Sequence, residues 1–124
     1  MEIWINPACS KCRTALSTLD TAGLDYTVRR YLDDPLTADE LDAVLTRLGL
    51  EPWDVARLGE EVAKELGLSD VPRERRRWLE VMAANPILIQ RPIITADDGT
   101  TVIGRSAEAL QQAVAAERTA TSPE

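Results

Sequence analysis

The sequence predicts an α/β fold: a mixed four-stranded sheet, with a block of helices inserted into a single domain. Three observations predict it. The element signals run strand, helix, strand, a block of helices, strand, strand, helix. The only two cysteines, Cys9 and Cys12, form a Cys-x-x-Cys where the first strand meets the first helix. A proline, Pro92, opens the third strand, a position where its missing N–H is tolerated. At 124 residues the chain is long enough to bury one real core, and it has neither internal repeats nor a linker.

Met1-Glu2-Ile3-Trp4-Ile5 reads as a short apolar strand and Asn6-Pro7-Ala8 as a turn. A helical pattern then runs from the cysteines through Leu16 and Leu19 to a stop at Ala22-Gly23. Leu24 to Tyr31, rich in β-branched and aromatic residues, reads as the second strand, which Asp33-Asp34-Pro35 ends. Thr37 with Glu40 is a capping box, and Leu41, Val44, Leu45 and Leu48 keep helical spacing up to Gly49. Pro52 starts a short helical turn, Glu60 to Leu66 a further one, and Ser69 or Asp70 caps a helix over Pro72 to Ala84. After the apolar run Ile87 to Gln90, Pro92-Ile93-Ile94-Thr95 and Thr100 to Gly104 are strands joined by an Asp97-Asp98-Gly99 hairpin turn. Ser106 caps the last helix. The expected organisation is one domain over residues 1–117, with a helical insertion at about 37–84, and a polar tail at 118–124.

The cysteines carry the chemistry. Cys9 falls at a helix N-terminus, where unpaired N–H groups and the macrodipole stabilise an anion, which predicts a thiolate nucleophile beside a place for an oxyanion. A structural disulfide would suit a secreted protein, but no secretory signal pattern opens the chain. Zinc needs four ligands, and two cysteines without a histidine do not supply them, so no metal is expected. Two inert buried thiols are the remaining alternative. A net charge of -7 argues against nucleic acid as a partner, and no apolar run is long enough for a membrane span. Reduced cysteines place the chain in the cytoplasm, where it is expected to act as a monomer. With His 0 in the composition, proton transfer falls to carboxylates, thiols, solvent or substrate. Most of the basic residues are arginine, whose planar fork suits oxyanions. The densest run, Arg73, Arg75, Arg76 and Arg77, lacks the spacing of a phosphate site and reads as a solvated helix face.

The element order, the Cys-x-x-Cys after the first strand and the proline at the third describe a thioredoxin-like fold. On that fold Pro92 is a candidate cis-proline, set against the cysteines where it shapes a substrate groove.

Asn6-Pro7-Ala8-Cys9 with Arg13, then Arg57, then Pro86-Ile87-Leu88-Ile89-Gln90-Arg91-Pro92-Ile93, then Gly104-Arg105-Ser106 with Glu108 closely resemble the glutaredoxin-linked arsenate reductases. The resemblance spans about residues 2–116, and the superfamily also holds the Spx-type transcription regulators. It implies that Cys9 attacks arsenate while Arg57, Arg91 and Arg105 hold the oxyanion and the arsenylated intermediate. It also implies that no cofactor is bound. Electrons would come from an external thiol donor: glutathione with glutaredoxin, mycothiol with mycoredoxin, or thioredoxin. Two positions depart from the pattern. Ile5 stands where the reductases often carry His, and Cys12 where they often carry Ser. As a resolving thiol, Cys12 sits one helical turn from Cys9 and can reach it. The alternative reading is an Spx-like regulator that binds RNA polymerase through a Cys9–Cys12 switch. Arg57 and Arg105 favour the enzyme, because a sensor has no use for further oxyanion clamps.

Overall fold

A computed structural model describes residues 1–120 of the chain. It divides into two compact units: Met1–Tyr31 together with the segment from Arg91 onward, and Leu32–Gln90.

The first unit holds the whole sheet. Strands β1 (Glu2–Ile5), β2 (Thr27–Arg30), β3 (Ile93–Thr95) and β4 (Thr101–Ile103) lie in the order β2-β1-β3-β4. β1 pairs parallel with β2 and antiparallel with β3, and β3 pairs antiparallel with β4. The register sets Ile3 between Val28 and Ile94. Ile3, Trp4 and Ile5 are all buried, as expected of a central strand covered on both faces. β2 is an edge strand, with Val28 41% exposed. It is shorter than the run read over Leu24 to Tyr31. Leu24 N–H instead donates to Leu19 O, and Tyr26 Oη to Asp20, so the start of that run closes off the preceding helix.

That helix, α1 (Ser10–Thr21), turns Cys12, Ala15 and Leu19 inward. The last helix, α5 (Ala107–Ala120), adds Leu110, Ala113 and Val114 to the same core. Each fully buried Leu or Ile here contributes roughly 1.5–3 kcal/mol of transfer free energy. In the hairpin, Gly99 N–H donates to Ala96 O, and Gly99 takes φ 91, the left-handed conformation glycine allows. Gly104 is needed for a different reason. A Cβ there would stand 3.0 Å from both Ile94 Cδ1 and Leu110 Cδ2. The tail read from residue 118 is a correction: α5 continues through Ala120, and residues 121–124 lie outside the described residues. Glu117 holds this end of the helix, accepting from Asp97 N–H at 2.9 Å and pairing with the Met1 amine at 3.1 Å.

The second unit is helical. α2 (Ala38–Leu48) begins on a complete capping box, with Glu40 N–H donating to Thr37 Oγ1 and Thr37 N–H to Glu40, and ends at Gly49 with φ 71. α3 (Glu61–Glu65) is short, and α4 (Arg75–Ala84) packs against α2. Three 3-10 turns, Pro52–Asp54, Leu68–Asp70 and Pro86–Leu88, join them. α4 starts later than Pro72. Val71 is extended, as the residue before a proline prefers, and Glu74 rather than Ser69 or Asp70 caps the helix. The arginine run is largely occupied. Arg75 bridges Asp42 and Glu51, Arg76 pairs with Asp39 and Glu80, and Arg73 lies over the Trp53 ring. Among the described residues, no helix is long and apolar enough to cross a membrane.

Candidate active site

The loop between β1 and α1 is built on Asn6, which is buried. Its Oδ1 accepts from Ala8 N–H and its backbone oxygen from Cys9 N–H, both at 3.0 Å. This side-chain turn, which Asn forms readily, fixes the entry into the helix. Arg13 Nη1 donates back to Pro7 O. Cys9 is the N-cap of α1, with extended backbone (φ -89, ψ 124) and no side-chain cap bond. The first turn of α1 carries no acidic residue, so nothing on it competes for the free N–H groups.

The electrostatics separate the two thiols. Burial alone would raise the Cys9 thiol. The N–H of Cys12, the Arg91 side chain, the N–H of Lys11 and the Cys12 thiol all hydrogen-bond the sulfur and outweigh burial, bringing the pKa down to about 6. Cys12 is 1% exposed. Burial, reinforced by the neighbouring Cys9 charge, pushes it up to about 11 despite an opposing hydrogen bond at Asn6. No disulfide joins the two cysteines.

Arg91 is buried, and the Arg91–Pro92 peptide bond is cis. Pro92 O accepts from Gly104 N–H at 2.9 Å, which brings the end of β4 beside it. The next residue, Arg105, donates from Nη1 to Arg91 O at 2.7 Å. Four of the residues singled out in the sequence therefore cluster in this unit: Cys9, Cys12 and the Arg91 side chain about the sulfur, with Arg105 on the Arg91 carbonyl. Arg105 also lines a cleft of about 190 Å³ between α1 and α5, together with Lys11, Thr14 and Ser106.

Arg57 belongs to the second unit. It lies in a non-helical segment after the turn Pro52–Asp54. The neighbouring Ala56 bridges Ile89, Arg57 N–H donates to Leu88 O at 2.7 Å, and Gln90 N–H donates to Val55 O. The apolar run Ile87 to Gln90 is thus a 3-10 turn followed by an isolated bridge. The Arg57 guanidinium is itself held. Nε donates to Glu60 at 3.1 Å and Nη1 to Gln90 at 2.9 Å, beside an open hollow lined by Ala56, Arg57, Gly59, Glu60 and Gln90.

Sequence reasoning missed the clamp role of Asn6 and both partners of Arg57. Asn before Pro signals the first. Of the partners of Arg57, Glu60 lies only three positions on, whereas nothing local signals Gln90, 33 positions away. Among the described residues, no group of three or more His, Cys, Asp or Glu could hold a metal ion. What the first unit does present is a thiolate at neutral pH, helix N–H groups beside it and a guanidinium on it, an arrangement fit to receive a tetrahedral oxyanion.

The family model of the ArsC family matches residues 4–113. A protein of Streptomyces viridochromogenes, described as an uncharacterized protein in the glnII region, is 59% identical over 117 residues, covering 92% of this chain and 98% of that one. An arsenate reductase of Neisseria meningitidis is 36% identical over 112 residues, covering 90% of this chain and 95% of its own. The solved arsenate reductase from Vibrio cholerae superposes with TM-score 0.80 at 33% identity, covering 94% of this chain and 98% of that one.

Proposed function

The chain belongs to the ArsC family, and from that premise we propose that it is an enzyme, a thiol-dependent arsenate reductase. The observation that supports this most is the Cys9 sulfur, lowered to about 6 by helix N–H groups and the Arg91 side chain. The Cys9 thiolate attacks arsenic of the arsenate dianion. A sulfur–arsenic bond forms, and one arsenate oxygen leaves as water after taking up protons. A second thiol then attacks the Cys9 sulfur. A disulfide forms, the sulfur–arsenic bond breaks, and its electron pair passes to arsenic, which leaves as arsenite. Arsenic gains two electrons, and two thiols are oxidised to one disulfide.

Arg91, Arg105 and Arg57 hold the oxyanion in this reading, their forks giving paired N–H bonds that a lysine does not match. In a chain without histidine, the protons come from the incoming thiol, the substrate and solvent. Cys12 supplies or assists the second thiol. Part of what raises its pKa is the charge on Cys9. Arsenylation removes that charge, so Cys12 becomes easier to ionise at the step that uses it. The resulting disulfide is returned to thiols by glutathione with glutaredoxin, mycothiol with mycoredoxin, or thioredoxin. A reducing cytoplasm fits two free cysteines.

The test is arsenate-dependent thiol consumption with arsenite measured directly, run with each of the three donor systems. At least one donor supports steady arsenite release from the wild type. Cys9→Ser abolishes it. Arg91→Lys lowers kcat/KM on the order of 10²-fold, as removal of one oxyanion donor does. Failure with every donor, together with binding of RNA polymerase set by the Cys9–Cys12 redox state, would replace the enzyme with the regulator.

A further inference from the structure

Two of the three guanidinium nitrogens of Arg57 are held. Its Nε donates to Glu60 at 3.1 Å and one Nη1 proton to Gln90 at 2.9 Å, while Nη2 makes no hydrogen bond to any described residue. Both carboxylate and guanidinium are partly buried, with side chains 29% and 27% exposed. Glu60 sits three positions along the chain, at the N-cap of α3, and its side chain caps nothing there. Its one described partner is Arg57. Gln90 is anchored through its backbone to Val55 and immediately precedes Arg91.

This arrangement does two things to the guanidinium. It fixes the plane of the fork beside the open hollow that Arg57 lines with Ala56, Gly59, Glu60 and Gln90. It also sets a formal negative charge against the cation at hydrogen-bond distance, and so weakens its pull on a further anion. A fork that only had to bind anions tightly would not carry that carboxylate. A fork that must bind a dianion in one orientation, without being filled by every tetrahedral dianion, gains from it, since tight ground-state binding alone does not raise turnover.

We infer that Glu60 and Gln90 are positioning residues for Arg57, and that Glu60 sets how strongly the site binds tetrahedral dianions. The inference rests on the arsenate-reductase reading through the role of Arg57. The two props are separable, because Glu60 carries charge and orientation and Gln90 orientation alone. Removing Glu60 frees the full cation and loosens its plane. Removing Gln90 only loosens it.

The experiment compares wild type, Glu60→Gln, Glu60→Asp, Gln90→Leu and Arg57→Ala. It measures kcat and KM for arsenate, the inhibition constant of inorganic phosphate, and phosphate binding to the reduced protein by calorimetry, with thermal unfolding as the check on folding. Glu60→Gln lowers kcat by about tenfold, yet tightens KM and phosphate binding several-fold. Gln90→Leu lowers kcat without tightening either. Glu60→Asp, which keeps the charge, keeps phosphate binding near the wild-type value. A merely structural role would lower activity without the opposed movement of KM. The inference is overturned if Glu60→Gln binds phosphate no more tightly than wild type, or if Arg57→Ala binds it equally well. The two readings fail differently. A wild type that turns over arsenate, with both Glu60 and Gln90 variants unchanged, removes the props and keeps the enzyme. A wild type inert with every donor, in which Glu60→Gln still tightens phosphate, keeps the props and removes the reaction.

Discussion

Cys9 and Cys12 lie one helix turn apart, yet the fold gives them opposite acidities, about 6 and about 11. The difference comes from place. Cys9, at the N-cap, receives helix N–H groups and the Arg91 side chain, whereas Cys12, one turn in, is packed in the core. At about pH 7 Cys9 is therefore roughly nine-tenths thiolate, and alkylation by iodoacetamide is half-maximal near a pH of about 6. Cys12→Ser keeps that fast reaction and Cys9→Ser loses it; loss in Cys12→Ser alone would reverse the assignment. The sign for stability follows from the same shift. A thiol depressed from 9.0 to about 6 stabilises the native state fully above the unfolded value, and that stabilisation is lost as pH falls through about 6. The low pKa of Cys9 was legible in the sequence, because the residue falls where a strand runs into a helix N-terminus. That Cys12 would lack a low pKa was legible too, from its place a turn further in, but how far it is raised was not, because that depends on burial in a core drawn from both ends of the chain.

At the scale of elements, local signals predicted ends well and extents poorly. The capping box at Thr37 and Glu40 and the glycines at the ends of α1 and α2 act through contacts a few residues long, and all stand where the sequence put them. Thr37→Ala lowers stability by about 1 kcal/mol, the usual cost of an N-cap, seen as a shifted urea midpoint at unchanged slope. The start of α4 and the short β2 were misread because competing local bonds decided them: Glu74 caps one, and Leu19 and Asp20 claim the start of the other. Gly104 shows a different limit. Nothing adjacent to it demands glycine; Ile94, Leu110 and Pro92 do. Gly104→Ala crowds the terminal methyls of two core residues and destabilises by about 1–3 kcal/mol, the range for overpacking. An unchanged denaturation midpoint would mean that Ile94 and Leu110 yield freely.

At the scale of the whole molecule, charge sets how an oxyanion arrives. The chain carries -7, yet its proposed site is lined by arginines. At ~0.01 M salt the screening length is ~30 Å, so the net negative field opposes a dianion well before the site is reached; at ~0.15 M it is ~8 Å and only the local cations are felt. The second-order rate of arsenate reduction should accordingly rise between those two salt concentrations, where an enzyme steered by net positive charge would slow. Stopped-flow or initial-rate kcat/KM at fixed pH decides it. The absence of histidine has one more consequence, which concerns buffering. Most proteins of this size take up protons through imidazole near neutrality; here that background is missing, and Cys9 is shifted into the gap. A difference titration of wild type against Cys9→Ser should then show about one proton per molecule centred near a pH of about 6, so that a single reactive sulfur can be followed with a glass electrode.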